Sequence, residues 1–349
     1  MTSLLIICFL ATAAGQAPDE EPPASVARPS VSAAASENPV GEGPGEEPTR
    51  HAGTRRALVL CGHPGTEVFR ETYRQSAEKI HDALLQRWGF RAEDVWVRYG
   101  VDPNPEAAVK RVGFRGPATR QAIVTDVAKL EQSLAPNDTL WVVVIGHSHF
   151  DGRNVFLNLP DQDMSQSDFG KLFENVKCRE QVFFITVPAS GFFTPNLSTQ
   201  GRVVITASEA DVETNEAIFY QHLAKVLADP PTLAEFDRDR DGRITLLDLY
   251  LTIVRRVITD YHDNELIPTE HALLDDNGDG RGTELQLDDL EQELGGRAFR
   301  RPLRDVIRPP GDGALAASIL LESEEQNPKN NSANGPTSNT DQEKTKSTD

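Results

Sequence analysis

Two groups of residues in this chain have the types and spacing for chemistry, and the first is acidic. Asp237, Asp239 and Asp241 stand two residues apart, Gly242 follows, Arg243 and Thr245 continue the interval, and Asp248 closes the run. A hard cation such as Ca²⁺ takes about six to eight oxygens from alternate positions of a loop of about twelve residues, with glycine at the sixth. Gly242 supplies the φ > 0 turn that wraps the chain round the ion. In that pattern the four aspartates give carboxylates, Arg243 gives its carbonyl, and Thr245 acts directly or through water. Ile244 falls at the apolar eighth position, through which such a loop pairs with a partner. Three aspartates at spacing two repel one another without a cation, so the expected cofactor is Ca²⁺. A second run repeats the pattern with Asp275, Asn277, Asp279, Arg281 and Gln286. Gly282 replaces its apolar eighth residue, and the Gln286 carboxamide offers one neutral oxygen at the twelfth. A weaker or differently coordinated site is expected there.

The second group lies at the ends of apolar runs: Cys61-Gly62-His63, Gly146-His147-Ser148-His149 and Ser190-Gly191. A histidine close to a thiol or hydroxyl is the pairing that nucleophilic catalysis uses. His63, Asp151 and Asp163 also gather near these run ends, but their spacing matches no standard transition-metal pattern, and solvated loop residues are the expectation.

Positioning these groups requires a sheet. Residues 56–61 form a short apolar run stopped by Gly62, His63, Pro64 and Gly65; 94–99, 181–187 and 202–206 read as further strands. The run 139–146 is continuously apolar rather than alternating, which places it in the centre of a parallel sheet covered on both faces. Helical periodicity is expected over 69–88, 117–134, 166–176 and 212–228. Strands alternating with helices predict an α/β three-layer sandwich with a mainly parallel sheet, in which function sits at the carboxyl ends of the strands. After Pro230 and Pro231 the pattern becomes loop, helix (246–261), loop, helix (285–294). That is the layout of a small α-helical module of paired EF-hands. Its loop spacing, from Asp237 to Asp275, suits an EF-hand pair better than the shorter dockerin repeat, which is the alternative assembly-module reading.

Residues 4–14 are an apolar stretch followed by small residues and a cleavage site near Gly15, Gln16 and Ala17, so 1–17 is expected to be a secretory signal peptide, too short for a membrane span. Residues 18–54 and 323–349 are low in apolar content and expected to be disordered. The expected organisation is therefore signal peptide (1–17), linker (18–54), α/β domain (55–229), EF-hand-like module (230–296), C-terminal extension (297–322) and tail (323–349). Formal net charge is −19 over 349 residues, which argues against nucleic acid or an anionic membrane as partner and fits a secreted, periplasmic or cell-surface protein. Cys8 leaves with the signal peptide, and Cys61 and Cys178 sit at opposite strand ends, so no disulfide framework is expected.

In order and spacing, 142–152 with His147, Asp151 and Gly152, then Ala189-Ser190-Gly191, supported by 58–65 and 202–207, resemble the caspase–haemoglobinase fold. The resemblance is to legumain-like cysteine peptidases and their bacterial relatives, over about 56–228. It implies a caspase-like sheet in which a histidine ending the central strand partners a cysteine ending the next one, with backbone N–H groups holding the oxyanion. His147 takes the place of the family histidine. The same register puts Pro188 where the family has its cysteine and Pro64 where legumains carry an asparagine. Proline has neither nucleophile nor N–H, so a degraded site that binds a peptide or protein ligand is the expectation. The alternative is an active cysteine or serine peptidase using His147 with Cys61 or Ser190; a fully buried small hydrophobe is the ordinary role of a free cysteine such as Cys61.

Overall fold

The computed structural model describes residues 53–99, 112–212, 215–238, 241–285 and 311–321. The expected signal peptide, nearly all of the linker, the tail, the helix beyond Leu285, most of the C-terminal extension, Asp239 and Gln286 lie outside them.

The central elements follow from the apolar runs. β1 (Arg55–Cys61) leads through α1 (Glu67–Gln86) to β2 (Val95–Arg98), and α2 (Arg120–Ser133) leads to β3 (Thr139–Ile145). Every residue of β3 is buried. Beyond β3 a small antiparallel sheet forms from β4 (Ser148–Phe150), β5 (Val155–Leu157) and β6 (Met164–Ser165). Then come α3 (Gln166–Leu172), β7 (Glu180–Ile185), α4 (Thr194–Leu197) and β8 (Arg202–Thr206). The chain finishes its helical layer with α5 (Phe219–Ala228), α6 (Leu233–Phe236) and α7 (Leu246–Asp263), and returns to the sheet as β9 (Leu273–Asp275).

The main sheet has six strands in the order β2-β1-β3-β7-β8-β9. β1, β2, β3, β7 and β8 pair in parallel, and β9 joins β8 antiparallel. Because side chains alternate along a strand, the sheet sorts its residues into two cores. Val59, Cys61, Val143, Ile145 and Phe184 face a core shared with Tyr73 and Ile80 of α1, Leu223 of α5 and Leu251 of α7. Leu58, Leu60, Val142, Val144 and Phe183 face the other, with Ile123 and Leu130 of α2 and Phe169 of α3. Each fully buried Val, Leu, Ile or Phe contributes roughly 1.5–3 kcal/mol, so the central strands dominate the stability. The chain therefore forms the expected three layers around a mainly parallel sheet.

Three expectations change. The helix over 212–228 is shorter, because the buried Glu270 carboxylate accepts the N–H groups of Ile218 (2.6 Å) and Phe219 (3.0 Å) and caps α5 there. The module expected over 230–296 is not separate from the α/β domain. β9 is a strand of its sheet, and α7 packs on the same core as α1 and α5, where the Tyr250 hydroxyl donates to the Ala272 carbonyl at 2.7 Å. Finally, Thr54 at the end of the expected linker belongs to the fold: its N–H donates to Asp138 (2.7 Å) and its carbonyl accepts from Thr139 (3.0 Å). Among the described residues no helix is long and apolar enough to cross a membrane.

Candidate functional site

The strand order reverses between β1 and β3, since β2 lies to one side of this pair and β7 to the other. Such a switch point opens a crevice at the carboxyl ends of the strands. The two chains leave it in close contact: Gly62 N–H donates to the Ile145 carbonyl at 2.9 Å, and a Cβ on Gly62 would lie 2.5 Å from the Asn158 carbonyl oxygen. Glycine is required there by the approach of backbone to backbone.

His147 sits in this crevice with both ring nitrogens engaged. Nδ1 lies 2.6 Å from Glu216 Oε1, and Nε2 lies 2.9 Å from the Pro64 carbonyl oxygen. Both partners are acceptors, so this arrangement favours the doubly protonated ring. The Glu216 carboxylate raises the imidazole pKa, the Pro64 carbonyl adds to the effect, and partial burial opposes it. Tyr73 places its hydroxyl 3.3 Å from each ring nitrogen, and Phe69 meets the ring edge-on at 4.6 Å between centroids. Burial pushes the Tyr73 phenol well up, so it stays neutral beside the ring. A general base needs a free lone pair on nitrogen. In this arrangement His147 has none.

The nucleophile candidates stand apart from it. Among the described residues the ring's hydrogen-bonding partners are Tyr73, Glu216 and Pro64, and neither Cys61 nor Ser190 is one. Cys61 is fully buried in the core under α1, and burial pushes its thiol far above the ordinary range, which removes the thiolate a nucleophile requires. Ser190 is fully buried and tied reciprocally to Ser208: its N–H donates to Ser208 Oγ (3.1 Å), and its Oγ accepts from the Ser208 N–H (3.0 Å). The pair stitches the carboxyl ends of β7 and β8 together. At Pro188 the carbonyl is capped by the Ser148 hydroxyl, and the next residue, Ala189, holds φ = 50°, a left-handed conformation that costs a non-glycine residue about 1 kcal/mol. His63, Asp151 and Asp163 are each absorbed in local turns, through Gly65 N–H, Arg153 and Asn154 N–H, and Leu159 N–H respectively.

The residues that complete the crevice were not singled out by sequence reasoning. Phe69 and Tyr73 carry a signal, four residues apart on the sheet-facing side of a helix. Glu216 carries none, since it lies 69 positions from His147.

The first acidic loop is closed by hydrogen bonds. Asp237 accepts from Asp241 N–H (3.0 Å) and Gly242 N–H (2.9 Å), and Asp241 accepts from Arg243 N–H (2.8 Å). Asp248 is fully buried; its Oδ1 accepts from Arg238 N–H (2.6 Å) and its Oδ2 from the N–H and hydroxyl of Thr245 (2.8 and 2.6 Å). Thr245 and Asp248 thus form the capping box of α7. Burial holds the Asp248 carboxyl above its ordinary range against these donors. The expected pairing with the second loop does not occur. Ile244 instead accepts from Leu321 N–H (2.8 Å) and Leu246 N–H donates to the Ile319 carbonyl (2.9 Å), so the partner is the C-terminal segment.

The second loop starts on β9 and folds back on itself through Leu274 and Thr283. Asp275 accepts from Gly278 N–H (3.2 Å), Asn277 from Asp279 N–H (2.8 Å) and Asp279 from Arg281 N–H (2.8 Å). The Gly280 N–H donates to the Ser198 hydroxyl at 2.9 Å, anchoring the loop to the end of α4.

The fold and site thus define a mainly parallel α/β protein with a clamped histidine at the switch point of its sheet. The structure is similar to the crystal structure of caspase-1 from Spodoptera frugiperda, with a TM-score of 0.38 and 13% sequence identity over 65% of this chain and 87% of that chain. No protein-family model and no curated protein matches the sequence.

Proposed function

We propose that this chain is a secreted, calcium-binding relative of the legumain and caspase peptidases whose active centre no longer cleaves, and that it works by holding a peptide or protein segment at the His147 crevice. One observation carries the reading. Both nitrogens of His147 donate to protein acceptors, while the neighbouring strand end presents Pro188 in place of a thiol. The imidazolium is a fixed cation that braces the 62–65 turn against the segment holding Glu216. It leaves the crevice without a base or a nucleophile, so that binding is the activity left to it. Calcium belongs to the first acidic loop, whose ligands would be Asp237, Asp239, Asp241, the Arg243 carbonyl and Asp248. Its ion stiffens the entry to α7 and takes no part at the crevice.

The test is a panel of fluorogenic peptides ending in Asn, Asp or Arg, run beside a peptide-library capture on the same full-length protein. Capture without turnover is the expected result. Turnover that disappears in His147→Ala, or irreversible labelling of Cys61 by a peptidyl electrophile, would show an active peptidase instead. N-terminal sequencing of the exported protein is expected to begin near residue 17 or 18.

A further inference from the structure

The second acidic loop sits in a corner whose charges do not balance. Asp275 ends β9 and is 1% exposed. Its Oδ1 accepts from Gly278 N–H at 3.2 Å, and the Ser198 hydroxyl and Gly280 N–H lie near enough to favour its charged form, but Oδ2 has no donor at hydrogen-bond distance among the described residues. A buried carboxylate oxygen left without a donor is strongly unfavourable, so such an atom calls for a water, a proton or a cation, and neighbouring carboxylates favour the cation. Two more carboxylates share the corner. Asp276 accepts from the N–H groups of Gly313 (2.9 Å) and Ala316 (2.8 Å), and Asp312 accepts from Asp276 N–H (3.2 Å) and the Thr283 hydroxyl. Both are buried and served by neutral donors only. None of the three has an arginine, lysine or histidine at ion-pair distance among the described residues.

We infer that Asp275, Asn277 and Asp279, with the Arg281 carbonyl, form a divalent-cation site of the calcium class that stands alone at the edge of the sheet and is not half of an EF-hand pair. The donors are two carboxylates, one carboxamide and one carbonyl. That set is all oxygen, which suits Ca²⁺ and gives a transition metal none of the nitrogen or sulfur it prefers. Among the described residues no group of three acidic, histidine or cysteine side chains is arranged to hold a metal, so an ion here would draw on the carboxamide, the carbonyl and solvent besides its two carboxylates. Gln286, the twelfth position of an EF-hand reading, is not needed.

The ion has a structural task. Its loop touches the end of α4 through Ser198 and packs so closely on residues 199–200 that a Cβ on Gly278 would lie 2.8 Å from the Gln200 nitrogen. Asp276 and Asp312 tie the same corner to 312–316, whose continuation, Ile319–Leu321, pairs with the first loop. A cation at Asp275 therefore fastens the antiparallel edge strand and the C-terminal segment together.

The site is independent of the His147 reading and of calcium at the first loop, and the experiment separates them. Full-length protein freed of metal is titrated with Ca²⁺ by calorimetry and by thermal melting, as parent, Asp237→Ala, Asp275→Asn and Asp279→Ala. Asp237→Ala is expected to keep one binding event and a rise in Tm of roughly 5 °C at saturating Ca²⁺. Asp275→Asn should lose that event while melting no lower than the parent in chelator, because a neutral amide replaces the unpaired charge. Asp279→Ala alters an exposed side chain, so it tests the site without disturbing the core, and should weaken the same event about tenfold or more. If Asp237→Ala abolishes all calcium response, or Asp275→Asn and Asp279→Ala bind with the parent's stoichiometry and affinity, the inference is wrong.

Discussion

The two acidic loops are spelled almost alike and are built on opposite electrostatic terms. In the first, the buried carboxylate of Asp248 receives three donors and caps a helix of eighteen residues. In the second, the buried carboxylate of Asp275 ends a strand and keeps one oxygen bare. The pattern of acids and glycines is the same; the element that each loop interrupts is not. The first carboxylate closes on N–H groups of its own loop and helix cap, whereas β9 lies between β8 and the returning Thr283, and the Asp276 N–H that follows goes to Asp312. Acid-rich loops of one motif can therefore differ in how much of their buried charge the fold meets before any cation arrives.

The comparison breaks most visibly at Asp248. Replacing it by alanine removes the cap of α7 and leaves Thr245 and Arg238 with unserved donors, which should cost about 3 kcal/mol in denaturant unfolding in chelator, and more with Ca²⁺ present, since the ion also loses a ligand. An equal cost for Asp275→Asn in chelator would erase the distinction between the loops.

Glu270 extends the contrast, as a carboxylate with donors whose burial still dominates. Burial lifts its carboxyl to about 7 from an ordinary 4.5, against the donors Ile218, Phe219 and Tyr261. Because the folded value is the higher one, the stability linked to this group is complete below pH 4.5 and is lost as pH rises through about 7. The loss should approach about 3 kcal/mol. Melting curves across that range are expected to show it, and Glu270→Gln to flatten it; an unchanged slope in the variant would refute the assignment.

Ile319→Ala tests which segment the first loop leans on. The side chain is buried, and its truncation should cost about 2 kcal/mol and shorten hydrogen-exchange protection at Leu246 and Leu321. Loss of protection confined to the second loop would mean the pairing is different.

The smallest effect is expected at Glu216, which is largely exposed beside His147. Glu216→Gln should lower the His147 pKa in an NMR titration of the ring protons. His147 stabilises the fold fully below the ordinary imidazole value and less as pH rises through its raised value, so the variant should also lose that shallow slope. A titration unchanged from the parent would show that the carboxylate does not hold the proton.

Much of the fold was legible in the chain. The run 202–206 coincides with β8, and the continuous apolar run at 139–146 is the central β3, because burial on both faces leaves nothing but apolar residues. His147 was legible as the residue ending that strand. β9 was not, since three residues entering an acidic loop carry no periodicity, and the end of the helix at 212–228 was misjudged because its cap comes from Glu270, far along the chain. Cys61 and Ser190 were legible as chemical types, but only packing decided that one is buried in the core and the other is spent on Ser208.

By itself the sequence determined the alternation of strands and helices, a histidine and a proline just past the ends of two neighbouring strands, and the two runs of alternating acids. These are local properties, carried by residue type and spacing. Tertiary structure alone decided that Glu216 and the Pro64 carbonyl meet the two ring nitrogens of His147, that the first loop pairs with 319–321, and that one oxygen of Asp275 is buried without a partner. Each of these rests on groups that are distant in the chain and meet only when the layers pack, where burial sets the charge a residue can carry.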